Sequence, residues 1–436
     1  MKKILLTALL AGTPLAWSAE GMWTLDNPPL AKLKAELGVD LDPAWFQRVM
    51  RGSARIAGGC SASFVSPEGL VLTNHHCAVG CVEQVSTPEA DRVKQGFLAS
   101  TRADELVCPA MEVNRLEAIS DVTATVKAAT KGLQGQAFKE AYDAATAKIT
   151  QACTGSEGKT TRCDVVDLYH GGQYKLYRYH RFQDVRLVFA PEQSVAFFGG
   201  DPDNFNFPRY NYDMSLLRVY EDGKPAAVKD WLPLNPAGPE AGQAVFVTGH
   251  PGSTQRGYTM AQLESLRAHD RTDALLWLSE YRGRLIEYGK RSPEAARQAN
   301  ATLFGVENSF KALSGQLQAL NDSALMAGKA ADEAALRRFV AGRKDLAPET
   351  AKAWDAIAKA LADYDAFRPA HGMIGDSGAF NSALYRTALR LVRGTVERAK
   401  PNEQRLPEYA EAAMPQVQAL LFSKAPIYPE FEKFKL

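Results

Sequence analysis

A change of hydrophobic grammar near residue 258 constrains this chain more than any other feature. From residue 56 to about 247, apolar residues come in short alternating or continuous runs, "SASFVSPEGLVLTN", "DVRLVFAP", "MSLLRVYEDGKP" and "AVFVTGHPG", broken by Gly, Pro, Asn and Asp. A two-residue period marks half-buried strands, and "SPEG" and "EDGK" are turn sequences of the kind that joins antiparallel neighbours. One stretch inside, residues 118–151, is rich in Ala, Lys and Thr and is predicted helical. Beyond residue 258 the apolar residues recur at three and four, as in "AQLESLRAHDRTDALLWLSEYRGRLIEYGKR" and "NSFKALSGQLQALNDSALMAG", which is one face of a helix. "SPEAARQAN" supplies Ser292 as a polar cap and Pro293 at a helix start. The fold class expected is α+β, with a β-rich part over residues 20–257 and a helical part over 258–436.

A chain of 436 residues with 46% hydrophobic and 23% charged residues has the balance of a globular protein with a sizeable core. Its 51 basic and 50 acidic residues leave a net charge of +1, so no global field draws in nucleic acid or an anionic membrane, and neither is expected as a partner. Residues 1–19 read as an export signal: Lys2 and Lys3 precede an apolar run too short to span a membrane, and small residues follow at Ala16, Ser18 and Ala19. The expected location is therefore periplasmic or secreted. In such a compartment the even set Cys60, Cys77, Cys81, Cys108, Cys153 and Cys163 is most simply three disulfides, whose connectivity sequence alone leaves open. Cys153 and Cys163 bracket a short polar stretch and are the easiest pair to propose.

"GLVLTNHHCAVGC", Gly69 to Cys81, sets two histidines at the end of an apolar run with cysteines around the next turn. Zinc could use His75, His76, Cys77 and Cys81, but adjacent histidines on a strand point apart and exported thiolates are consumed by disulfides. No metal and no other cofactor is expected. Acyl transfer instead asks for a histidine base on a rigid element with a carboxylate within reach of Nδ1. His76 fits, and a bridge from Cys77 back to Cys60 would staple its hairpin. Asp213 in "NYDMSLLRVY" is the carboxylate that opens a strand; Asp201, Asp203 and Asp230 lie in polar loops. On spacing alone, Asp213 reads equally as an exposed strand-start acid.

"TNHHC" resembles the Thr-x-x-His-Cys signature of chymotrypsin-fold serine proteases, and "DMSLLRV" the strand that carries their aspartate. Together with "EGMW", "GGCSASFVSPEGLVLTNHHC", "FFGGDPDNFNFPRYNYDMSLLRVY" and "GHPGSTQR", the chain resembles the bacterial dipeptidyl-peptidase 7 and 11 family from Glu20 to Leu436. The resemblance implies an exported serine exopeptidase that releases dipeptides from peptides with a free N-terminus. It also implies a chymotrypsin-like double β-barrel with a large helical domain inserted into the second barrel, "AVFVTGHPG" being an early strand of that barrel. His76 and Asp213 would be base and orienter of the triad, with His75 a structural neighbour. Asn204 and, in the helical part, Asn308 would bind the substrate's terminal ammonium, since carboxamide oxygens accept from it without adding a full charge. Cys81 is left to Cys108 by elimination, and a homodimer is allowed.

"GDSGAF", residues 375–380, offers Ser377 as a nucleophile, yet its surroundings are helical and the family's serine comes later, in a Gly-Asn-Ser-Gly-Ser-Pro motif that this sequence lacks. The chain thus reads as ending within the helical domain, with most of the second barrel missing. Inactivity of this chain alone is the expectation. The alternatives are a secreted, non-catalytic peptide-binding module and a rearranged site that uses Ser377. The side-chain preference of the released dipeptide, set mainly by the second barrel in such folds, is not readable here.

Overall fold

The computed structural model describes residues 21–436 except 88, 110, 198–209, 253, 347, 376–380 and 423–425. The export signal, Asn204, Asp201, Asp203 and Ser377 lie outside the described residues. Among the described residues eleven antiparallel strands form one sheet: β1 Ser53–Ile56, β2 Ser61–Phe64, β3 Leu70–Thr73, β4 Phe97–Leu98, β5 Leu106–Val107, β6 Val113–Asp121, β7 Thr161–Leu168, β8 Gln173–Phe182, β9 Asp184–Ala190, β10 Ser215–Glu221 and β11 Lys224–Pro225. Their order is β4-β9-β10-β3-β2-β1-β6-β8-β7, with β5 also on β9 and β11 on β10. The two turn sequences do what their residues allow. "SPEG" joins β2 to β3, and Gly69 (φ +67°) is required because a Cβ there would lie 2.8 Å from the Val219 carbonyl oxygen. "EDGK" joins β10 to β11 with Asp222 and Gly223 both at positive φ, the conformation of a tight hairpin turn.

The core follows from register. Phe64 pairs with Val71, Val71 with Leu217, and Leu217 with Leu187, so one row of fully buried side chains crosses β2, β3, β10 and β9. Each such side chain contributes about 1.5–3 kcal/mol of burial. The same register pairs Thr73 with Ser215. The residues just after β3 and just before β10 are thereby set side by side.

Two expectations about the β part need correction. The sheet is not closed: β4, only two residues long, and β7 end its path among the described residues, and without a hydrogen-bonded ladder between the two ends there is no barrel. The segment "AVFVTGHPG" is not a strand either. Val245 is 65% and Val247 100% exposed, and no described strand lies beside them to complete a ladder. The segment is held at its end instead. Ser53 Oγ donates to Thr248 Oγ1 at 2.9 Å, and the His250 amide donates to Ser61 Oγ at 2.8 Å.

Within the β part, helices occupy Thr123–Thr130 and Gly135–Thr154, where the composition placed them. After residue 258 the described secondary structure is helical. Arg271–Gly289 and Pro293–Leu320 pack as a hairpin around Leu278, Leu285, Tyr288, Ala299 and Val306, with Phe431 inserted from near the C-terminus. Ser292 caps the second helix by accepting the Ala295 amide at 3.0 Å, with Pro293 at its first position. That helix reaches the β part where Phe304 meets Phe197 at a ring separation of 4.8 Å. Among the described residues no helix is long and apolar enough to cross a membrane.

Candidate functional site

Beyond β3 the backbone turns at once into a ten-residue helix, His75–Gln84, so both histidines sit in its first turn rather than on a strand. His75 takes the inner side, 1% exposed, and His76 the outer. This helix is pinned twice on one face: Cys77 is bridged to Cys60, just before β2, and Cys81, one turn on, to Cys108, just after β5. Cys153–Cys163 is the third bridge, and no cysteine is free. The sulphurs of Cys60 and Cys77 lie close to the His76 ring, but they are bonded to each other, which removes the thiolates a zinc site would use.

Asp213 stands two residues before β10, where the Thr73–Ser215 pair delivers it to the start of the histidine helix. Its Oδ2 lies 2.7 Å from His76 Nδ1, and its Oδ1 accepts the His76 backbone amide at 3.0 Å. An ionised carboxylate only accepts, so Nδ1 carries the proton and the lone pair of Nε2 points away from Asp213. The His76 side chain is 55% exposed and that of Asp213 21%, which leaves the ring accessible and its partner sheltered. Among the described residues nothing is hydrogen-bonded to His76 Nε2.

The charges reinforce this arrangement. The hydrogen bond that His76 donates to Asp213 holds the imidazole above the ordinary histidine value of 6.5, with burial working against it. Burial pushes Asp213 upward, but the hydrogen bonds from the His76 ring and amide and the nearby imidazoles outweigh it, and the carboxyl ends below the ordinary 3.8. The exposed end of a helix adds a partial positive charge that favours the anion. His75 is held below 6.5, mainly by burial, with the nearby Asp213 carboxylate working the other way. A proton acceptor that can be approached, backed by a fixed anion, suits general-base chemistry.

Other predicted residues stand apart. Asp230 lies 3.6 Å from Arg51 in an ion pair. Asn308 is exposed on the helix Pro293–Leu320, one turn beyond Phe304. Sequence reasoning missed Asn74, whose amide Nδ2 donates to the Asp213 carbonyl oxygen at 3.0 Å and to Asp213 Oδ2 at 3.2 Å. Only an Asn before two histidines hinted at it, and that hint reads first as a helix cap.

Curated proteins and solved structures match part of this chain. The curated Dipeptidyl-peptidase 7 of Porphyromonas endodontalis is 35% identical over 287 residues, which is 61% of this chain and 35% of that relative. The Asp/Glu-specific dipeptidyl-peptidase of Shewanella putrefaciens is 34% identical over 280 residues, 61% of this chain and 38% of that one. Among solved structures, Porphyromonas endodontalis DPP11 in complex with dipeptide Arg-Asp superimposes with a TM-score of 0.70 at 25% identity, over 80% of this chain and 53% of that chain. The chain thus spans half or less of the length of the curated relatives it matches and about half of that solved chain. The sequence profile of Peptidase S46 matches residues 18–436, nearly the whole length, and on that match the chain belongs to the peptidase S46 family.

Proposed function

We propose that this chain carries the base and the orienting acid of a serine-type dipeptidyl peptidase, His76 accepting the proton of a serine hydroxyl and Asp213 fixing its ring. The carrying observation is the 2.7 Å contact from His76 Nδ1 to Asp213 Oδ2, made with Nε2 left open. In this reading the substrate is a peptide with a free N-terminus and the product a dipeptide, as the names of the relatives suggest. Asn204 and Asn308 share the terminal ammonium. The approach of Phe304 to Phe197 supports that pairing, because it brings the helix of Asn308 to the chain just ahead of Asn204. The β part with its histidine and aspartate (20–257) is then capped by the helical part (258–436). Three disulfides with no free thiol favour a periplasmic or secreted location.

No described hydroxyl bonds His76 Nε2, so the purified 436-residue chain is expected to release no dipeptides from peptide substrates followed by mass spectrometry. It is expected to bind peptides with a free N-terminus more tightly than their acetylated forms, and Asn308→Ala should narrow that difference. Equal binding of the two forms would remove the N-terminus reading. Dipeptide release that disappears in Ser377→Ala would replace the proposal with a rearranged site.

A further inference from the structure

We propose that Asn74 is a positioning residue for the Asp213–His76 pair, its side-chain amide clamping the Asp213 carboxylate in the orientation that meets the His76 ring. The inference rests on the functional reading above for its catalytic meaning, but its geometry stands without it. Asn74 occupies the residue before the first helical turn, in extended conformation (φ −74°, ψ 150°), where Asn is among the preferred capping residues. Its side chain makes no capping hydrogen bond. The amide is spent on Asp213 instead, and Asp213 takes over the cap by accepting the His76 amide through Oδ1. The two residues have exchanged duties.

That exchange matters because of where the bonds close. Asn74 Nδ2 bridges the main-chain carbonyl and the carboxylate oxygen of the same residue, at 3.0 and 3.2 Å. A donor tied to both the main chain and the carboxylate of one residue restricts the side-chain torsions between them in a way that a single contact to the carboxylate does not. The two acceptors are oxygens, so the amide nitrogen must face them and the orientation of the group is fixed by chemistry. Asp213 then accepts from three groups: the His76 ring, the His76 amide and Asn74. A neutral donor stabilises the anion without setting a second full charge beside the imidazole, as a lysine would. Serine and threonine hydroxyls carry one proton and cannot bridge both oxygens.

The test needs no turnover. Carbon-13 titration of the Asp213 carboxyl and nitrogen-15 spectra of the histidine rings are recorded on the full chain and on Asn74→Ala, Asn74→Ser and Asn74→Asp. Serine and aspartate keep a capping residue at the helix start, so they separate loss of the clamp from loss of the helix. The expected result is an upward shift of the Asp213 titration in every variant, since each loses a donor to the charged form and the aspartate adds a like charge. A fall in the His76 population protonated at Nδ1 should accompany it in Asn74→Ala and Asn74→Ser. A folded variant with unchanged Asp213 titration overturns the proposal. Unfolding of all three variants overturns it too, because Asn74 would then serve folding rather than the orientation of one carboxylate. If the peptidase reading fails, the titrations still decide the role of Asn74; if they fail, the His76–Asp213 contact and the binding test remain.

Discussion

Asp213 holds three positions at once: partner of the His76 ring, cap of the helix that carries the ring, and acceptor for Asn74. Its titration and that of His76 therefore enter folding stability with opposite limits. His76 is raised, so its contribution is complete below 6.5 and is lost as pH climbs through the higher folded value. Asp213 is lowered, so its contribution is complete above 3.8 and is lost as pH falls through the lower folded value. The thermal midpoint of the parent should exceed that of Asp213→Asn most between pH 3.8 and 6.5, converge with it as pH falls through the lowered Asp213 value, and narrow without vanishing as pH rises, because the Asp213 share is still complete there. A difference that stays flat across the range would show that the pair contributes nothing. At this scale the nearness of His76 to Asp213 could be expected from the sequence, because a histidine at the end of one apolar run and an acid at the start of another can meet where the two strands pair. The role of Asn74 could not, since an Asn before a helix reads first as its cap and the partner that claims its amide lies 139 residues away.

At the scale of elements, the helix His75–Gln84 is short and would be marginal alone; its two bridges attach it to the sheet on either side. The Cys60–Cys77 bridge closes a separation of 17 residues. Replacing both cysteines by alanine should lower unfolding free energy by about 3 kcal/mol in urea titration under oxidising conditions. It should also broaden the nitrogen-15 resonances of His76, and a variant as stable as the parent would show that the bridge adds no constraint. All three pairings were within reach of the sequence. Cys153 and Cys163 are ten apart across a polar stretch, Cys60–Cys77 could be entertained as a staple of the first hairpin, and Cys81–Cys108 was left only by elimination. The helix itself was hidden: "HHCAVGCV" continues an apolar run, and only the distant Asp213 carboxylate supplies its cap.

Across the whole molecule, the division into strands first and helices later could be read from hydrophobic period, while closure could not. Whether a sheet joins its own ends depends on which strand finds a neighbour, and Val245 to Val247 carry strand-like side chains with no described strand beside them. Anchorage of that segment to the sheet centres on Gly249, at φ +150°, where a Cβ would approach Ser61 Oγ to 2.5 Å. Gly249→Ala should therefore cost more than about 1 kcal/mol in urea titration. Gly252→Ala, with open space around it, should be nearly neutral, and equal losses at both would discount the close approach. The twin crosslinks on the histidine helix carry a further meaning. In a thiol-rich solution the helix is expected to lose both covalent ties to the sheet, leaving the Asp213 hydrogen bonds alone to fix the direction of the imidazole.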